Sequence, residues 1–125
     1  KDFESALKLN PYNYDANKKK GNILAEDGQL KEAIKEYDEA VRCEPRNSDA
    51  LYNRGLAKQT LGKNSEALAD YNKAISIDSK NSKAFLNRGN IRYAHSDKEG
   101  AAKDWRTASA LGNTIAKEQL KKIGK

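Results

Sequence analysis

The chain has 125 residues, 37% of them hydrophobic and 34% charged, so any core must lie along narrow, regularly placed apolar faces rather than in a thick centre. Lys and Arg number 24 against 18 Asp and Glu, and the net charge of +6 permits an anionic partner without demanding one. No apolar run approaches the roughly 20 residues of a membrane-spanning helix; the single Cys43 excludes an internal disulfide and the lone His95 a multi-histidine metal centre.

A 34-residue period organises the predicted elements: Gly21, Gly55 and Gly89 keep it, as do Ala33, Ala67 and Ala101. Tyr37, Tyr71 and Trp105 keep it as large aromatics, Ala40, Ala74 and Ala108 as small residues, and Gly28, Gly62 and Ser96 as turn formers. In chain order, Phe3, Ala6 and Pro11 stand one period before Tyr37, Ala40 and Pro45, so residues 1–13 are expected to form the second helix of an interrupted unit. The chain begins at Lys1 and has no Met, so its natural N-terminus is expected upstream; the missing targeting segment then says nothing of compartment, with the cytoplasm as default.

Residues 14–47, 48–81 and 82–115 follow as three units of two helices each, with Ser48 and Ser82 expected as N-caps. Within a unit, glycine on the first helix and alanine on the second let the helices approach closely, which offsets the ~1 kcal/mol a mid-helix glycine costs. The aromatic column is expected to fill the wider gap between one pair and the next. Residues 114–125 close the chain as a capping helix with Ile115, Ala116, Gln119, Leu120 and Ile123 on one face and Lys117, Glu118, Lys121 and Lys122 on the other.

These columns resemble the tetratricopeptide repeat family, whose helix-turn-helix units carry glycine, alanine, an aromatic, a second alanine and a proline in this order. Pro45 matches the proline, Ser79 and Asn113 depart from it, and a position usually bulky holds Asn17, Leu51 and Phe85. The resemblance implies an all-α fold, a right-handed superhelix of antiparallel helix pairs, whose concave groove binds a peptide or a partner's helix. The expected role is that of a protein-protein interaction scaffold or adaptor, not an enzyme, with no cofactor and no metal.

The family's groove positions select Lys18 and Asn22 from the first repeat, Tyr52, Asn53 and Leu56 from the second, and Lys83, Leu86, Asn87, Asn90 and Tyr93 from the third. Members that hold the C-terminal carboxylates of heat-shock chaperones use Lys and Asn of one repeat, Asn of the next, and Lys with Arg of the third. Lys18, Asn22, Asn53 and Lys83 match that set, and Asn87 stands where it has arginine. Two ammonium groups can make charge-assisted bonds to a carboxylate while the amides orient it and bond the peptide backbone. The plainer reading is that these are ordinary solvated groove residues; an acidic C-terminal peptide of a chaperone is therefore the alternative ligand, and a structural assembly module is a second alternative.

The remaining features have bland readings. Cys43 shares its column with Ile77 and Leu111 and reads as a small apolar residue, and Trp105 belongs to the packing column. His95 adjoins a turn with no catalytic partner in view. Successive members of Lys18-Lys19-Lys20 point about 100° apart on a helix. Half of the +6 comes from residues 114–125, and acids alternate with bases elsewhere, so no nucleic-acid partner and no membrane insertion are expected. Self-association is expected to be possible through the N-terminal end, where the first helix would lack its partner.

Overall fold

The computed structural model describes residues 11–124, and among them the chain is all α. Its helices are α1 (Pro11–Glu26), α2 (Leu30–Cys43), α3 (Ser48–Thr60), α4 (Asn64–Ile77), α5 (Ser82–Ala94), α6 (Lys98–Ala110) and α7 (Thr114–Lys122). The helix expected over residues 1–13 lies outside the described residues up to residue 10, while residues 11–13 open α1. Proline suits that position, because the first N–H of a helix has no intrahelical acceptor.

Asparagine and aspartate start most of these helices. Asn47 Oδ1 accepts from the Asp49 N–H at 3.0 Å, Asn81 Oδ1 from Ala84 at 3.1 Å, Asp97 Oδ1 from Gly100 at 2.9 Å and Asn113 Oδ1 from Ala116 at 2.9 Å. The caps are thus Asn47 and Asn81 rather than the expected Ser48 and Ser82, which are already the first helical residues. An amide oxygen caps as well as a hydroxyl, and it stands one residue earlier.

The ends of α1, α3, α5 and α6 share one geometry. Gly28, Gly62, Ser96 and Gly112 have φ of 82°, 84°, 70° and 101°. The next residue's N–H reaches back to a carbonyl of the last turn: Gln29 to Leu24 at 2.8 Å, Lys63 to Lys58 at 2.8 Å, Asp97 to Arg92 at 2.8 Å and Asn113 to Ala108 at 2.9 Å. This is the Schellman closure, which turns the chain sharply enough for the next helix to run back along the last. Ser96 adopts the left-handed conformation with a Cβ, at an energetic cost its glycine counterparts avoid.

The described residues divide into two compact units, with the boundary between Lys73 and Ala74. In the first, α1 and α2 are antiparallel: Tyr14 shares a cluster with Ala40, Lys20 pairs with Glu36 at 3.6 Å, and Leu24 packs on the cluster of Ala33 and Tyr37. Tyr14 is 3% exposed and supplies the apolar bulk that Asn17 lacks. In the second unit, α5 and α6 pair in the same way and α7 closes the cluster of Phe85, Leu86, Ala101, Trp105, Ala108 and Ala116. Ala116, Leu120 and Ile123 pack there, whereas Ile115 is 59% exposed and leaves the expected apolar stripe.

Each aromatic of the periodic column lies over the glycine of its own helix pair, and the column also reaches onward as expected: Tyr37 clusters with Ala57 of α3, and Trp105 with Ala116 of α7. A Cβ on Gly21 would stand 2.6 Å from Tyr37, on Gly55 2.9 Å from Tyr71, and on Gly89 2.6 Å from the Trp105 indole. Beside this contact runs a column of charge. Lys20 pairs with Glu36, Arg54 donates two bonds to Asp70 at 2.8 and 3.0 Å, and Arg88 donates two to Asp104 at the same distances. Asp70 and Asp104 are 5% and 2% exposed, and each receives a second cation, Lys58 at 3.4 Å and Arg92 at 3.0 Å. Two cations per carboxylate, at least one of them hydrogen-bonded through two N–H groups, compensate the desolvation that burial imposes.

Candidate functional site

In the first unit, the expected groove residues of α1 and α3 are joined by hydrogen bonds. Lys18 and Asn22 are one helical turn apart and so share a face of α1. Asn22 Oδ1 accepts from the Tyr37 hydroxyl at 2.5 Å and from Asn53 Nδ2 at 3.3 Å. Tyr37 is buried against Gly21, and burial, with a smaller contribution from Glu26, pushes its hydroxyl up to about 12. It therefore stays a neutral donor and fixes the orientation of Asn22. The bonded amide pair leaves the Asn22 N–H₂ and the Asn53 carbonyl oxygen for a ligand, one donor and one acceptor, which is what an extended peptide backbone requires.

Lys18 stands 3.6 Å from Asp49 Oδ2, with its ammonium 5.5 Å from the centre of the Tyr14 ring. Tyr14 is held by its hydroxyl, which donates to Asn47 Oδ1 at 2.6 Å, and burial followed by Asp49 raises its pKa. The asparagine that caps α3 thus also anchors the aromatic beneath Lys18. Tyr52 lies with its ring 5.9 Å from that of Tyr71, tilted 38°, and Leu56 is 40% exposed.

In the second unit Lys83 is exposed on α5 and Asn87 is half-buried one turn later. Leu86 does not reach the surface as a groove residue should: it is 7% exposed, because α7 folds Ala116, Leu120 and Ile123 into the cluster that contains it. Asn90 accepts from Trp105 Nε1 at 3.2 Å, and the exposed Tyr93 ring lies 5.5 Å from the indole. Cys43 packs at the edge of the Tyr14 cluster, and His95 ends α5 in solvent. Among the described residues no helix is long and apolar enough to cross a membrane.

A family model described as TPR repeat matches residues 21–62, and one described as tetratricopeptide repeat matches residues 48–81. A comparison with the curated proteins finds no match. Among solved structures, the chain is similar to the first TPR of Spaghetti (RPAP3) bound to the HSP90 peptide SRMEEVD. The two are 31% identical with a TM-score of 0.86, over 91% of this chain and 92% of that one. The second TPR domain of human RPAP3, in complex with the HSP70 peptide SGPTIEEVD, is 31% identical with a TM-score of 0.83, over 91% and 97% of the two chains. The Arabidopsis OM64 TPR domain is 33% identical with a TM-score of 0.81, over 88% and 95%.

Proposed function

Because the chain belongs to the tetratricopeptide repeat family, we propose that it is a protein-interaction adaptor that binds a linear peptide with an acidic C-terminus, using Lys18, Asn22 and Asn53 as its first recognition groups. The observation that carries this reading is the bonded pair Asn22–Asn53 beside the Lys18 ammonium. A carboxylate gains a charge-assisted bond from Lys18, and the peptide backbone meets one amide donor and one amide acceptor held in place by Tyr37. Two of the similar domains hold peptides ending in Glu-Glu-Val-Asp, which supports the choice of ligand. Lys83, exposed on α5 of the second unit, is the other lysine the family pattern selects, and Asn87 stands one turn later where that pattern has arginine.

The test is calorimetry of the whole chain with the peptide SRMEEVD. Lys18→Ala is expected to weaken binding about tenfold or more, since a hydrogen bond to a charged group contributes about 1.5–3 kcal/mol. Lys83→Ala is expected to weaken it less, as an exposed charge. Amidation of the peptide's C-terminus should act like Lys18→Ala, and equal binding of the amidated peptide would sink the carboxylate reading.

A further inference from the structure

A hollow in the second unit, of about 370 Å³, is lined by Asn90 and Tyr93 of α5, Trp105 of α6, and Gln119, Lys122 and Ile123 at the end of α7. Its walls divide by chemistry. The Trp105 and Tyr93 rings and Ile123 form an apolar side, with the rings 5.5 Å apart. Hydrogen-bonding capacity is unused on the other side. The Asn90 carbonyl oxygen is taken by the Trp105 indole N–H, which fixes the amide and leaves its N–H₂ without an acceptor. Among the described residues, the Gln119 amide, the Tyr93 hydroxyl and the Lys122 ammonium likewise make no side-chain hydrogen bond or ion pair.

Lys122 differs in this from its neighbour Lys121, which pairs with Glu118 at 3.8 Å. Four groups able to donate, one of them cationic, therefore line one hollow with no carboxylate among the lining residues. An acceptor-rich anion with a short apolar stem satisfies both sides: the stem lies along the exposed Tyr93 ring and Ile123 while the oxygens meet Lys122 and the amide donors.

We propose that this hollow is a subsite for an acidic side chain of the partner peptide, so that α7 is part of the binding surface and not only the end of the stack. The proposal rests on the adaptor reading, since the occupant comes from the same class of ligand. It adds residues of α6 and α7 that the groove positions of the repeats do not include. Trp105 is 2% exposed and forms the floor of the hollow beneath the exposed Tyr93 ring, so a peptide Glu stem laid over Tyr93 and Ile123 changes the surroundings of the chain's one tryptophan and is read in its fluorescence.

The experiment titrates the whole chain with SRMEEVD and follows Trp105 emission together with calorimetry. A shift of the emission on saturation and a fivefold or greater loss of affinity in Lys122→Gln are expected. Lys122→Arg should restore the affinity, and Lys117→Gln, a charge change of equal size on α7 away from the hollow, should stay within twofold of wild type. The Lys122→Gln penalty should shrink when one peptide Glu is replaced by Gln. Unchanged affinity in Lys122→Gln, with Lys18→Ala still weakening binding about tenfold or more, overturns the subsite and leaves the adaptor reading standing; failure of the wild-type chain to bind overturns both. Circular dichroism of Lys122→Gln and Lys122→Arg separates loss of α7 from loss of the ammonium, because rescue by arginine requires the charge in place.

Discussion

Asp49 supplies Lys18 with a carboxylate before any peptide arrives. The pair is 3.6 Å apart, and the Asp49 side chain is 64% exposed, so the bond is screened and weak. It acts all the same against an anionic ligand, which must either displace Asp49 or add a second negative charge beside it. Asp49→Asn is therefore expected to tighten binding of an acidic peptide by about two- to fivefold, the reach of an exposed pair, with little change in Tm; calorimetry and a melting curve check the two halves. Loss of affinity in this variant would mean that Asp49 holds Lys18 in place for the ligand. The family resemblance placed Lys18 and Asn22 together in the groove. It could not foresee that Tyr37 holds Asn22, because that bond depends on the tyrosine lying across Gly21 of its own helix pair.

Within the helix pairs, the small and aromatic columns were legible because the same residue types recur at a fixed interval. The column Lys20, Arg54, Arg88 with its partners Glu36, Asp70, Asp104 recurs just as regularly, yet charge in a sequence reads as solvated surface. Only packing shows that two of the three acids are buried. The pairs differ in a way that predicts their worth. Asp104 is 2% exposed between Arg88 and Arg92, so Asp104→Asn leaves two half-buried guanidinium groups without a counter-charge and should cost about 3 kcal/mol or more. Glu36 meets a Lys20 that is 67% exposed, and Glu36→Gln should change stability by less than about 1 kcal/mol. Urea unfolding of the two variants checks the contrast, and equal losses would show that burial does not set the value of this column. Leu86 and Leu56 teach the same lesson from the apolar side: both stand in expected groove positions, but α7 covers only Leu86, and a sequence pattern does not say which face a terminal helix will close.

Over the full chain, a net charge of +6 is spread among paired and unpaired groups, and this division decides which anions can bind. Lys20, Arg54, Lys58, Arg88 and Arg92 are committed to acids of the neighbouring helix. A polyanion needs a continuous stripe of available cations to release counterions along its length, whereas a short acidic peptide needs only a few placed ones. Lys18 carries one exposed partner, and Lys83 and Lys122 have no ion pair among the described residues. Raising the salt from 50 to 500 mM shortens the screening length severalfold. With two or three such contacts at stake, each contributing about 0.2–1 kcal/mol, affinity for SRMEEVD should fall by about three- to tenfold. A single-stranded oligonucleotide at 150 mM salt should show no saturable shift in a mobility or fluorescence assay. A steep salt dependence for the oligonucleotide, of several counterions per complex, would show instead that the unpaired lysines act together as a phosphate-tracking surface and would displace the peptide reading.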